Sequence, residues 1–310
     1  MFYICFAFIA LSIYGISSFL LKQKPSSSAK AMPNQIYGGT EVNSIEKYPF
    51  MVALLYKNNI EVSVVKVSDD KVVRRYYTAY AQFCGGTLID EEWILTAAHC
   101  FDGGLTPEDL SVLVGSKYLV FIDTEHLNSV TNNGREEKYI FQASEIIIHK
   151  EYNRSTNYND IALIRLSHKI NYLNKFAKIP LPNTDNHMYD DGNPTIALGW
   201  GFREQFNYRD LYRRALYGVD LSIVGNERAN RSDWYNGRIT DNMVAAGYIM
   251  GGKGPCILDS GGPLLYKNGN DYYVIGIASW TGLPCGTAQK PGVFTRVINY
   301  SDWIKTQKQH

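Results

Sequence analysis

Three short stretches carry residue types that could do covalent chemistry if the fold brought them together. The first is Gly254-Pro255-Cys256-Ile257-Leu258-Asp259-Ser260-Gly261-Gly262-Pro263-Leu264, where a serine stands between an acid and two glycines. Glycine opens backbone conformations closed to other residues and lets a ligand approach the main chain, so this stretch reads as a tight loop presenting a hydroxyl. The second is Leu95-Thr96-Ala97-Ala98-His99-Cys100, and the third is Asn159-Asp160-Ile161-Ala162-Leu163-Ile164. A serine hydroxyl is a poor nucleophile near neutral pH. It needs a base within hydrogen-bond reach and a third group that orients the base. Ser260, His99 and Asp160 supply these three types. Taken singly, each has a structural alternative: a surface turn for Asp-Ser-Gly-Gly, a packed imidazole for His99, and a capping or solvated acid for Asp160.

The elements that must position them are short. The chain has 310 residues, 45% hydrophobic and 20% charged, with a net charge of +1. It can bury a core and is not a disordered chain. Its balanced charge gives no reason to expect nucleic acid as a partner. Order begins at Ile36-Tyr37-Gly38-Gly39, and short apolar runs then recur between turn residues. One group of strands covers Pro49–Leu55, Phe83–Ile89, Trp93–Ala97, Ser111–Gly115, Glu145–His149 and Ile161–Leu166, with a hairpin in the stretch 57–82. A second group covers Thr195–Gly201, Ala215–Val224, Met243–Tyr248, Pro263–Tyr266, Tyr272–Trp280 and Gly292–Val297. Strands at even intervals in two groups point to two packed antiparallel barrels. Only the last segment reads as a helix, because Val297, Tyr300, Trp303 and Ile304 recur at three- and four-residue spacing. No internal repeat is visible.

Met1 to Leu21 is nearly uncharged and apolar, and Lys22 and Lys24 follow. It reads as a secretory signal; the alternative is a membrane anchor, but Tyr3, Ser12, Tyr14, Gly15, Ser17 and Ser18 make it a weak spanning helix. A signal peptide over 1–31, cut near Ala29-Lys30-Ala31, and a short pro-segment at 32–35 are expected. Cys5 would leave with the signal. Cys84, Cys100, Cys256 and Cys285 remain, an even number suited to two disulfides in an oxidising compartment. Asn153-Arg154-Ser155, Asn230-Arg231-Ser232 and Asn299-Tyr300-Ser301 are glycosylation sequons. No metal-ligand cluster or phosphate loop stands out, so no metal or cofactor is expected.

Together the motifs resemble the trypsin–chymotrypsin family of serine proteases, from about Ile36 to Gln307. Ile36-Tyr37-Gly38-Gly39, Cys84-Gly85-Gly86, Thr96-Ala97-Ala98-His99-Cys100, Asp160-Ile161-Ala162-Leu163, Gly199-Trp200-Gly201, Asp259-Ser260-Gly261-Gly262-Pro263-Leu264, Ser279-Trp280 and Lys290-Pro291-Gly292-Val293-Phe294 stand in the family's order. The resemblance implies an all-β fold: two packed six-stranded antiparallel β-barrels, about 50–166 and 182–296, with a C-terminal α-helix over about 297–307 of a protease domain at 36–310. It implies that Ser260 attacks a peptide carbonyl, that His99 takes and returns the proton, and that Asp160 orients His99. It pairs Cys84 with Cys100 and Cys256 with Cys285. It places the oxyanion donors at the N–H groups of Leu258 and Ser260. It also implies activation by cleavage before Ile36, whose new ammonium would pair with Asp259 and order the pocket. The implied partners are protein or peptide substrates, protein protease inhibitors and an activating protease, for a secreted, extracellular monomer.

Several positions depart from the family pattern. Gln35, before the expected cut, is neither Arg nor Lys. The substrate-binding positions are Gly254, Ser279, Trp280, Thr281 and Gly292. Gly254 stands where trypsin-like members carry aspartate, and a cationic substrate side chain would be buried unpaired there. With Gly292 leaving one wall open and Thr281 narrowing the mouth, medium apolar side chains such as Leu, Val or Met are the expected preference. Leu258 stands where relatives carry glycine. If the loop needs positive φ there, leucine costs on the order of 1–3 kcal/mol and the peptide is prone to flip. The alternative reading is therefore a catalytically weak or inactive homologue that acts as a binding or regulatory protein.

Overall fold

The computed structural model describes residues 36–64, 73–120, 140–171, 173, 175–181, 186–201 and 213–309. The expected signal peptide and pro-segment lie outside the described residues. Six strands close the first barrel: β2 (Met51–Val64), β3 (Val73–Leu88), β4 (Trp93–Thr96), β8 (Ala162–Leu166), β7 (Ile140–Ile148) and β5 (Leu110–Val114), which pairs back to β2. The second barrel runs β9 (Pro194–Gly199), β11 (Tyr217–Val224), β12 (Met243–Gly247), β15 (Gly292–Arg296), β14 (Asp271–Trp280) and β13 (Pro263–Asn268), and β13 closes onto β9. β1 (Thr40–Glu41) adds to its edge at β11. β6 (Tyr118–Val120) pairs with β10 (Arg213–Ala215) outside both barrels. The fold is all-β, as the strand pattern predicts.

The strand chemistry explains the closure. In β11, Val219, Leu221 and Ile223 are buried while Asp220 and Ser222 are exposed, the two-residue alternation of a sheet with one face on a core. β4 is buried at every position, Trp93-Ile94-Leu95-Thr96, and inserts between β3 and β8. A continuous apolar core joins Phe50, Leu54, Leu95 and Leu163 of the first barrel to Leu198, Trp200, Val274 and Ile277 of the second.

Residues 57–64 and 73–82 form the long arms of the β2–β3 pair, in register out to Val64 opposite Val73. At its base Leu54 faces Cys84 and Leu55 faces Gln82, which leaves Phe83 as the extra residue of a bulge. Bulges re-aim neighbouring side chains, and this one turns Gln82 toward the serine loop. At the other end of the chain a 3-10 turn over Val297–Tyr300 runs into α2 (Ser301–Gln307), the second α-helix after the short α1 (Asn226–Ala229). Val297, Tyr300 and Ile304 are buried against the first core, and Ser301 Oγ donates to the Pro180 carbonyl at 2.7 Å.

Candidate active site

His99 lies in a 3-10 turn, Ala98–Phe101, directly after β4. Asp160 lies two residues before β8, the strand that pairs with β4. The pairing of β4 with β8 therefore brings two residues 61 apart in sequence into contact. His99 Nδ1 lies 2.7 Å from Asp160 Oδ2, and the His99 backbone N–H donates to Asp160 Oδ1 at 2.9 Å. The carboxylate is fully buried. Its remaining partner comes from the second barrel: Ser279 Oγ donates to Oδ2 at 2.5 Å, and Thr295 Oγ1 donates to the Asp160 carbonyl at 2.7 Å. Asp160 is thus held from both barrels at once.

This environment assigns the tautomer of His99. A carboxylate at Nδ1 holds the proton there and leaves Nε2 as the acceptor. Burial lowers the imidazole pKa, but the charge and hydrogen bond of Asp160, with a smaller contribution from Asp102, outweigh it and the net movement is upward. The side chain keeps 21% of its surface open to solvent.

Ser260 sits on a loop clamped between the barrels. Its carbonyl accepts from Gly85 N–H at 2.7 Å, while Thr96 Oγ1 donates to the Gly85 carbonyl at 2.8 Å. Gly261 has φ +77°, and a Cβ there would lie 2.3 Å from Thr96 Oγ1 and 2.5 Å from Gly85 O. Only glycine lets the loop press this closely on the strand that leads into His99. The backbone donors of the loop divide sharply. Cys256, Asp259, Gly261 and Gly262 N–H all find acceptors, whereas Leu258 and Ser260 N–H find none among the described residues. Two backbone donors without acceptors, on the serine and on the residue two before it, can receive a developing oxyanion. Leu258 takes φ +71°, so the peptide keeps the left-handed conformation despite its side chain.

Asp259 is buried, accepting from Gly201 N–H at 2.8 Å and Cys256 N–H at 2.9 Å. Burial pushes its carboxyl up to about 7, against the pull of those hydrogen bonds and of Arg214. A Cβ at Gly199 or Gly201 would fall 2.1 Å or 2.5 Å from Asp259 Oδ1, which is the physical reason for glycine on both sides of the buried Trp200. Ile36 is fully buried in the second core beside this region, and Tyr37 exchanges two backbone hydrogen bonds with Gly254. In the intact chain Ile36 carries a peptide bond to Gln35, so its nitrogen has no charge to offer Asp259.

The positions expected to bind substrate divide. Gly254 is buried, and a Cβ built on it meets nothing within 4 Å, so open space lies beside it. Gly292 does not leave a wall open as expected from sequence: a Cβ there would strike Pro255 Cγ at 2.7 Å, because the proline ring already fills that side. Thr281 is half-buried at the end of β14. Ser279, expected at the substrate-binding site, directs its hydroxyl to Asp160. The Trp280 ring is packed edge-on by Tyr235 and carries the Arg238 guanidinium 4.7 Å from its centre. Cys84–Cys100 ties β3 to the histidine turn, with Cα atoms 6.2 Å apart. Cys256–Cys285, at 5.5 Å, ties the serine loop to the segment after β14. Cys84, Cys100 and His99 are also close enough to share an ion, but both sulfurs are taken up by the disulfide. Of the three sequons, Asn153 is exposed, while Asn230 uses its amide to exchange hydrogen bonds with the Ile239 backbone.

Sequence reasoning missed the contribution of Ser279 to Asp160 and the contact of Gln82 with the serine loop. Ser279-Trp280 at least stood out as a motif. Gln82 has no local signature, since its partner Leu258 is 176 residues away.

The comparisons with known proteins agree with this geometry. The family model described as Trypsin matches residues 36–304. Coagulation factor XI of Bos taurus is 37% identical over 228 residues, covering 73% of this chain and 33% of that protein. Transmembrane protease serine 11G of Mus musculus is 31% identical over 225 residues, covering 72% of this chain and 49% of that protein. The chain thus spans a third to a half of the length of these relatives. A match that runs from Ile36 through both barrels to Ile304, over a buried Asp160, a histidine oriented by it and a glycine-bound serine loop, means that the chain belongs to the trypsin family of serine proteases.

Proposed function

We propose that the chain is a secreted serine endopeptidase that hydrolyses peptide bonds through an acyl-enzyme. The observation that carries this reading is the 2.7 Å contact of His99 Nδ1 with the buried Asp160, together with a serine loop held against Gly85 and Thr96 that has two unclaimed backbone donors. Ser260 Oγ attacks the substrate carbonyl as His99 Nε2 takes its proton, and the tetrahedral oxyanion accepts from Leu258 and Ser260 N–H. The imidazolium, stabilised by Asp160, then protonates the leaving amine. A water activated by the same nitrogen releases the acid and restores Ser260.

Open space beside an uncharged Gly254 supports a non-tryptic pocket. With Thr281 at its rim and Pro255 filling the side by Gly292, it favours medium apolar side chains before the scissile bond. Cleavage after Gln35 by an activating protease would turn the Ile36 nitrogen into an ammonium, a positive charge that would add to the pull of Arg214 on buried Asp259. Two disulfides are consistent with an extracellular compartment. No helix among the described residues is long and apolar enough to cross a membrane.

The test is labelling by a fluorophosphonate of protein trimmed to begin at Ile36. The wild type should label and Ser260→Ala should not. Absence of labelling in both would favour the second reading, a binding protein on a protease scaffold. A peptide-library profile dominated by Arg would overturn the pocket assignment.

A further inference from the structure

We propose that Gln82 is a positioning residue of the oxyanion site, holding the Leu258 carbonyl so that a leucine stays in the conformation that leaves its N–H free for substrate. The inference rests on the endopeptidase reading above. Gln82 is 7% exposed. Its Nε2 donates to the Cys84 carbonyl at 3.2 Å and to the Leu258 carbonyl at 3.0 Å. Both partners are acceptors, so the amide must turn its NH₂ toward them. The other end of the amide carries the penalty: Gln82 Oε1 is buried without a hydrogen-bond partner among the described residues. Stability alone would favour an apolar side chain of the same shape, which has no oxygen to strand. The amide is therefore best explained by what its NH₂ does at the serine loop.

What it does follows from the backbone. A non-glycine residue at φ +71° persists only where its surroundings over-determine it. Around Leu258 those surroundings are few. Asp259 N–H donates to the Cys256 carbonyl at 3.1 Å, Gly85 N–H pins the Ser260 carbonyl at 2.7 Å, and Gln82 pins the carbonyl of Leu258 itself. With that carbonyl pinned, φ of Leu258 sets the direction of its N–H, and a relaxed negative φ would swing the donor away. Glycine would adopt the positive φ without penalty and would need no such clamp. The β3 bulge at Phe83 aims Gln82, so the hairpin base and the serine loop form one device.

The test is a double-mutant cycle on protein trimmed to begin at Ile36: wild type, Gln82→Met, Leu258→Gly and the pair. Gln82→Met keeps shape and removes the donor. It should lower kcat by about 10-fold, less than the about 10²–10³ typical of deleting an oxyanion donor, with KM changed less than about twofold. Affinity for a peptidyl boronate, whose tetrahedral anion uses both N–H groups, should fall by the same factor. In the Leu258→Gly background the same substitution should cost less than about threefold, a rescue that general damage to the fold would not produce. Should Gln82→Met fold poorly, Gln82→Asn, which keeps the amide but is too short to reach both carbonyls, should give the losses expected of it. Equal losses in both backgrounds, or kcat and boronate affinity within about twofold of wild type, overturn the proposal. A wild type that labels with fluorophosphonate while Gln82→Met is unchanged overturns only this inference. A wild type that neither labels nor turns over substrate overturns the functional reading and this inference with it.

Discussion

His99 can act as a base only while neutral, and Asp160 works against that. The carboxylate that orients the ring also stabilises its protonated form, and the pKa rises although burial pulls it down. The acid limb of the kcat/KM profile should therefore lie above the ordinary histidine value of about 6.5. Activity should be lost as pH falls through that raised value. Ser279 supplies the control. Ser279→Ala removes a hydrogen bond that competes for Asp160 Oδ2. The remaining carboxylate charge is then less dispersed, so the limb should move further toward alkaline pH; a limb that stays in place would separate Ser279 from the base. At this scale the sequence was legible where motifs are contiguous, as at His99-Cys100 and Asp259-Ser260. It was silent where the partner is distant in the chain, as with Gln82.

At the scale of the element, small residues do the positioning. Gly261 lets the serine loop touch β3 and β4, and Gly199 and Gly201 make room for the Asp259 carboxylate. Gly201→Ala would place a methyl 2.5 Å from Asp259 Oδ1 and from the Ile257 carbonyl. Such overpacking should cost about 1–3 kcal/mol in urea unfolding. A change under about 0.5 kcal/mol would mean that Asp259 can shift freely, against the tight packing seen here. The C-terminal helix is legible for a different reason. Its three- and four-residue apolar spacing survives in the fold as the buried row Val297, Tyr300 and Ile304. Removing the Ile304 side chain beyond Cβ should cost about 2–5 kcal/mol, read as a lower urea midpoint for Ile304→Ala.

At the scale of the whole molecule, the intact chain contains a buried acid with no free ammonium from Ile36 to pair with it. Between the ordinary carboxyl value of 3.8 and the folded value of about 7, the unfolded chain releases the Asp259 proton and the folded chain keeps it. The folded state binds more protons there, so stability falls as pH rises through that window and is fully present below it. The loss is at most about 4 kcal/mol, from a move of about three pH decades at about 1.4 kcal/mol each. Intact Asp259→Asn should lack this slope. Stability measured by urea unfolding from pH 4 to 7, as the difference between the two proteins, checks it. Parallel curves would mean that Asp259 has its counter-charge before cleavage. Trimming to Ile36 should flatten the wild-type curve as well, since the new ammonium would then favour the ionised acid.

The sequence by itself determined the family, the strand count of the two barrels and the identity of the serine, histidine and aspartate, because each rests on local pattern and residue type. The packing of Pro255 against Gly292, the second partner of Asp160 and the contact of Gln82 with Leu258 were decided only by the tertiary structure. Pro255 fills a space that a glycine alone suggested was open, and Ser279 and Gln82 act on residues far from them in the chain. The physical reason is that a hydrogen bond or a van der Waals contact depends on ångströms in space, and those were set by how β3 and β14 pack around the serine loop.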